Sequence, residues 1–275
     1  MDPRIYQIAS LTGLLVYGMA ALEFDIGLSQ AALTLVGVLA AQWICTRLWR
    51  LPTFEPKSAL ISGLSLCLLL RTNSLWLVLA AAALTISSKF ILRWRGKQLF
   101  NPTNFGLFAM MLAAEDRVWV SPGQWGNVAF FAFLMLCLGG LVVNRAARTD
   151  VTFAFLATHI TLVFGRSLYL GEPMFIPLHR MQSGALLLFA FFMVSDPKTT
   201  PDSRAGRIVF AALVAFGAWV VQFRLFATNG LLWSLAVCAL LVPLIDLFLP
   251  GSRYEWRSRL KPSPIATAQH EPVLS

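Results

Sequence analysis

Apolar segments recur along the chain near 5–22, 28–46, 58–70, 75–92, 103–114, 126–143, 151–165, 181–194, 207–222 and 229–249. Short polar stretches separate them. Runs such as "LWLVLAAAALTISSKFIL" and "VAFFAFLMLCLGGLVV" approach the roughly 20 residues that a helix needs to span hydrocarbon. In that solvent the backbone must satisfy its own hydrogen bonds, which restricts apolar segments of this kind to helices. The pattern predicts an all-α polytopic membrane protein with about ten transmembrane helices. One integral-membrane domain would occupy 1–250, and 251–275 would form a partly disordered cytoplasmic tail.

Ten crossings divide the loops between two faces. One face holds only Arg71, Arg117, Arg166, Arg180 and Arg224; every other lysine and arginine falls on the opposite side. Basic residues resist translocation, so the rich side is cytoplasmic and both termini lie there. The expected location is a bacterial-type cytoplasmic (inner) membrane, crossed many times. No signal peptide is expected, because the N-terminal segment lacks a small-residue cleavage site.

Composition agrees: 57% of the 275 residues are hydrophobic, 13% are charged, and the mean hydropathy is +0.70. Soluble domains carry about 25% charged residues. The net charge of +9 then reflects cytoplasmic loops beside a lipid bilayer, not a nucleic-acid partner. Cys45, Cys67, Cys137 and Cys238 lie in apolar runs without pairing or ligand spacing, which reads as buried free thiols. No catalytic constellation and no metal-ligand set is present in the sequence.

The two halves resemble each other. "SALISGLSLCLLLRTNS" (58–74) compares with "MQSGALLLFAFFMVSDP" (181–197), aligning Ser62-Gly63 with Ser183-Gly184. "KQLFNPTNFGLFAMMLAA" (97–114) compares with "FRLFATNGLLWSLAVCAL" (223–240). Five segments per half is an odd number, so the halves, about 5–114 and 126–249, would be inverted five-helix repeats. Short, Gly- or Pro-interrupted segments in such repeats mark a binding site near the midplane.

"NPTNF" (101–105) reads as a helix start, with Asn101 as the cap and Pro102 in the first turn. A helix N-terminus at membrane depth suits a polar or anionic group, and equally serves as a plain cap. Among isolated polar residues, His159 reads as a structural hydrogen-bonding group, and His179-Arg180 as a pair in an outer loop. Asp246 and Lys89 read as snorkelling side chains, Asp246 toward Arg253.

"LISGLSLCLLL" (60–70), "FNPTNFGLFAMML" (100–112) and above all "FMVSDPKTTPDSRAGRIVF" (192–210) resemble the RnfD/NqrB integral-membrane subunits of ion-pumping electron-transport complexes. The resemblance covers roughly 55–250 and implies a subunit passing electrons via flavin or quinone. It also implies other membrane or electron-transfer subunits as partners, and coupling to cation movement in the whole complex. It makes Ser62, Gly63, Asn101, Pro102, Asn104, Ser183, Gly184, Asp196, Thr199 and Thr200 the candidate cofactor-binding residues. Relatives carry FMN covalently on the threonine of a Ser-Gly-Ala-Thr motif between the fifth and sixth helices. Here that loop reads "AAEDRVWVSPGQWGNV" (113–128), without threonine. Any FMN or riboflavin is therefore expected to be non-covalent, in a short, divergent member. A small-solute transporter or channel, and a cofactor-free membrane anchor, are the alternatives.

Overall fold

A computed structural model describes residues 3–22, 24–121, 148–181 and 183–254. The predicted sixth segment, 126–143, lies outside the described residues. The helices are α1 (Pro3–Ala21), α2 (Leu28–Leu48), α3 (Pro56–Leu69), α4 (Leu75–Ile91), α5 (Pro102–Ala114), α6 (Thr149–Leu170), α7 (Phe175–Met181), α8 (Gly184–Leu188), α9 (Arg204–Phe223), α10 (Gly230–Ala239) and α11 (Val242–Phe248). A π-helical turn, Phe189–Met193, extends α8.

Among the described residues, α2, α6 and α9 are each long and apolar enough to cross a membrane. The pair α7–α8, bent by 49°, and the pair α10–α11, bent by 51°, raise the possible spans to five. The second bend has a local cause: Pro243 opens α11 and cannot donate the backbone hydrogen bond that would continue α10. The expected single helix 229–249 is thus broken; of 58–70 and 181–194, expected as the broken pair, the first lies in the continuous helix α3 (Pro56–Leu69) and the second takes in the bend between α7 and α8. The architecture is that of a predominantly helical membrane protein.

Among the described residues four short strands, absent from the sequence reading, decorate the bundle. β1 (Leu70–Thr72) pairs antiparallel with β4 (Val118–Val120), Arg71 opposite Trp119. β2 (Arg93–Trp94) pairs with β3 (Lys97–Gln98) in a hairpin, whose turn places Arg95 at φ 48° and Gly96 at φ 81°. Arg71, read from sequence as a loop cation, is buried. Its guanidinium donates to the carbonyls of Cys67, Leu68 and Leu70 at 3.0, 3.2 and 2.8 Å, which satisfies the free carbonyl end of α3.

α2 packs on α4 and α4 on α5; α6 packs on α9 and α9 on α10; α5 meets α10 between these layers. Small residues let the backbones approach, as in membrane bundles generally. A Cβ at Gly106 of α5 would overlap Thr85 Oγ1 of α4, and one at Gly217 of α9 would overlap Ser234 Oγ of α10. Ser234 Oγ also donates to Val214 O at 2.7 Å.

Two polar residues differ from the sequence reading. Asp246 does not reach Arg253: its Oδ2 pairs with Lys97 Nζ at 2.6 Å, and its Oδ1 accepts from Asp202 N at 2.8 Å. The hairpin delivers Lys97 into α11, a juxtaposition 149 residues apart in sequence. Lys89 is buried, donating to Ser58 O at 2.9 Å instead of snorkelling to an interface.

Candidate functional site

The sequence "FNPTNF" folds as its local chemistry dictates. Asn101 adopts extended φ/ψ as the N-cap of α5, and its Oδ1 accepts from Asn104 N at 3.1 Å. Pro102 occupies the first turn, where no backbone donor is needed. Asn101, Pro102 and Asn104 are all buried. The other amide group of the cap is free to bond elsewhere, and Asn101 Nδ2 donates to Asp196 Oδ2 at 3.2 Å.

That contact closes one side of a small polar cleft. Ser58, Ser62 and Ser65 of α3, Asn101 and Pro102 of α5, and Ser195, Asp196 and Lys198 after α8 line it, with a volume of about 60 Å³. A cleft of that size holds a few water molecules. Asp196 Oδ1 accepts from Lys198 N at 3.0 Å. Burial raises the Asp196 carboxyl above its ordinary value, opposed by the Lys198 N–H and the nearby lysines. The Lys198 ammonium is lowered, chiefly by burial.

A second cavity, about 430 Å³, lies at the other end of α8. Its walls are Leu69, Val120 and Ser121, His159 and Val163 of α6, Arg180 and Ser183, Phe189, and the start of α10 at Asn229–Leu232. His159 is buried and stacked on Phe155, with ring centroids 5.7 Å apart and planes 15° apart. Its Nδ1 has no hydrogen-bond partner among the described residues. Met193, on the π-helical turn, lines both cavities.

The candidate residues therefore separate. Ser62, Asn101, Pro102 and Asp196 line the small cleft, and Ser183 lines the larger cavity. Gly63 lines neither: it lies within α3, where a Cβ would stand 2.7 Å from Val38 Cγ2 of α2. Gly184 is a buried residue at the start of α8. Ser62-Gly63 and Ser183-Gly184 thus occupy different local structures, mid-helix and helix start. Asn104 points across to α10, its Nδ2 donating to Leu232 O at 3.3 Å; its Oδ1 has no partner among the described residues. Asn229 answers from α10, its Nδ2 directed at Met111 Sδ of α5 at 3.4 Å. Thr199 Oγ1 donates to Asp196 O at 3.4 Å, bracing the loop.

Arg148 is a residue that sequence reasoning missed. It is buried, donates through Nε to Thr200 Oγ1 at 3.1 Å and through Nη2 to Pro197 O at 3.4 Å, and lies 4.8 Å from the Tyr254 ring. In sequence it reads only as one more cytoplasmic-loop arginine. Thr200 is thereby occupied in holding the Asp196 loop to the start of α6.

The chain matches the NQR2, RnfD, RnfE family over residues 117–255. It is 32% identical over 127 residues to the D subunit of the ion-translocating oxidoreductase complex of Cronobacter sakazakii, covering 46% of this chain and 35% of that protein. It is 30% identical over 127 residues to the protein of the same description from Escherichia coli K12, covering 46% and 34%. The matched stretch thus spans about a third of the length of these relatives. With the family match extending from β4 through α11, just over half of its residues, the chain belongs to the NQR2, RnfD, RnfE family.

Proposed function

We propose that this chain is a membrane subunit of a redox-driven electron-transport system, holding FMN or riboflavin non-covalently in the His159 cavity. The observation that carries the reading is that cavity's size and lining. A volume of about 430 Å³ is in the range of small-molecule sites, roughly 300–1,000 Å³, whereas the 60 Å³ cleft is not. Apolar walls from Val163, Leu186 and Phe189 suit a flat ring system, and the unpartnered His159 Nδ1 offers a hydrogen bond to a ring N–H. Arg180 at the rim suits a phosphate. When bound, a flavin supplies one- and two-electron transfer. The protein's part is to exclude water with Phe189 and Leu186, orient the ring through His159 and Ser183, and balance charge with Arg180.

The relatives' shared description as members of an ion-translocating oxidoreductase complex supports the redox setting and partner subunits. Ten crossings in two inverted halves, with cytoplasmic termini, fit the pairing of side chains. Residues assigned to the cytoplasmic face meet one another: Arg4 with Glu55, Lys97 with Asp202 and Asp246, Arg207 with Asp150. Residues assigned to the outer face do the same, β1 with β4 and Arg166 with Glu172. The mirrored packing of α2–α4–α5 and α6–α9–α10, and the reciprocal reach of Asn104 and Asn229, support the inversion. The test is flavin content of the purified chain against His159→Leu. The variant is expected to insert normally and lose most of its flavin; undiminished content would remove His159 from the site.

A second reading, passage of a small cation, is favoured by Met193. Met193, on the π-helical turn, is the lining residue that the two cavities share among the described residues, and such turns recur at functional sites.

A further inference from the structure

A third cavity, of about 760 Å³, opens where α10 bends into α11 and the β2–β3 hairpin folds against them. It belongs to neither cavity described above, sharing no lining residue with the His159 cavity and only Gln98 with the small cleft. One wall is apolar: Leu240, Leu244 and Leu247 are 58%, 51% and 66% exposed. The opposite rim carries Trp94, Arg95 and Arg253.

The charges in this groove do not cancel. Asp202 and Asp246 are both held by Lys97, at 2.9 and 2.6 Å. Neither Arg95 nor Arg253 has a carboxylate partner among the described residues. Arg253 Nη2 donates to Arg95 O at 2.9 Å, which fixes one guanidinium beside the hairpin turn and leaves its remaining N–H groups available. Lys97, Arg95 and Arg253 against Asp202 and Asp246 leave the groove a net charge of +1, and an apolar trough ending in two guanidiniums without carboxylate partners among the described residues complements an amphiphile with an anionic head. The hairpin and the chain after α11 fall on the side richest in lysine and arginine, where anionic lipids meet such residues.

We propose that this groove binds an anionic phospholipid, its phosphate at Arg95 and Arg253 and an acyl chain along Leu240, Leu244 and Leu247. The inference rests on the membrane reading of the chain and is independent of the flavin proposal. Trp94, exposed beside Arg95 on the cavity lining, suits a headgroup region, where tryptophans are enriched. Both arginines present donors in a fork that matches phosphate oxygens.

The experiment is lipid retention by the detergent-purified full chain, offered phosphatidylglycerol or phosphatidylcholine and read by native mass spectrometry. Each arginine near an anionic headgroup contributes about a fivefold preference. The expected results are a phosphatidylglycerol preference of roughly thirtyfold, its loss in the R95Q/R253Q pair, and a fivefold reduction in R95Q alone. Among the described residues the Arg95 side chain makes no hydrogen bond, so R95Q keeps the test valid if Arg253→Gln loosens the hairpin. Arg50→Gln, outside the groove, should retain the preference, and L244Q should weaken retention of both lipids. Equal retention of the two lipids by the unaltered chain would overturn the proposal. So would an unchanged preference in R95Q, or competition by millimolar inorganic phosphate as effective as that by lipid.

Discussion

Asn101 Nδ2 donates to Asp196 Oδ2 at 3.2 Å, joining residues 95 positions apart. One amide thereby does two things: its oxygen caps α5 and its nitrogen holds the loop after α8. The cleft between α3, α5 and α8 exists because this contact fixes both ends.

Asn101→Ala removes the cap and the donor together. Loss of a cap costs about 1 kcal/mol, and the buried hydrogen bond to a carboxylate adds about 1.5 kcal/mol or more. The expected result is a clear fall in the thermal midpoint in detergent. Asn101→Asp keeps the capping oxygen but faces Asp196 with a second carboxylate. It should be more damaging than alanine at neutral pH and recover as the pH falls and one of the two carboxyls takes up a proton.

Asp196 itself gives a pH signature. Burial raises its folded-state pKa above the ordinary carboxylate value, so the folded form binds the proton more tightly than the unfolded chain. Its contribution is fully present at low pH and is lost as pH rises through the raised value. Asp196→Asn should flatten that part of the stability profile, while its single acceptor oxygen gives up one of the two bonds from Asn101 Nδ2 and Lys198 N. A variant whose profile parallels that of the unaltered chain would show that the carboxyl is not desolvated.

At the α4–α5 crossing, Gly106 faces Thr85 so closely that any Cβ would overlap the hydroxyl. Gly106→Ala is expected to cost about 1–3 kcal/mol through overpacking. Thr85→Ala should recover part of that loss in a double-mutant cycle, because it removes the overlapping Oγ1. Additive losses would place the strain elsewhere.

Lys97 lies between Asp202 and Asp246, with its side chain 10% exposed. Lys97→Met strands two partly buried carboxylates and should cost about 3 kcal/mol. Asp246→Asn, which leaves Lys97 its bond to Asp202, should cost markedly less. The two midpoints, measured at neutral pH, check the order.

Much of this was legible in the sequence for a physical reason. Hydrocarbon solvent forces apolar runs into helices, and Asn-Pro at 101–102 can begin one but not continue one. Ser62 and Asp196 were candidates only through the family resemblance, whereas the cap and the burial of Asn104 followed from those local rules. Contacts between distant loops did not. Nothing local distinguishes Arg148 or Lys97 from other cytoplasmic-face cations; their partners Thr200 and Asp246 are chosen by how the helices pack. The break near 241 was equally hidden, since an apolar run reads the same whether straight or bent, and the interruption expected within 58–70 is not there, because α3 runs unbroken. Splitting the candidate residues between two cavities also required the fold, because Ser183 and Asp196 stand at opposite ends of one short helix.

The proposed electron-transfer role places a flavin in the His159 cavity. The decisive experiment is the absorption spectrum of the purified full chain before and after denaturation and filtration, paired with its intact mass. A flavin spectrum near one equivalent per chain is expected, passing entirely into the filtrate, over a polypeptide of unmodified mass. A colourless protein from flavin-replete cells would refute the flavin site, and a flavin adduct on Ser121 or any other hydroxyl would refute its non-covalent character.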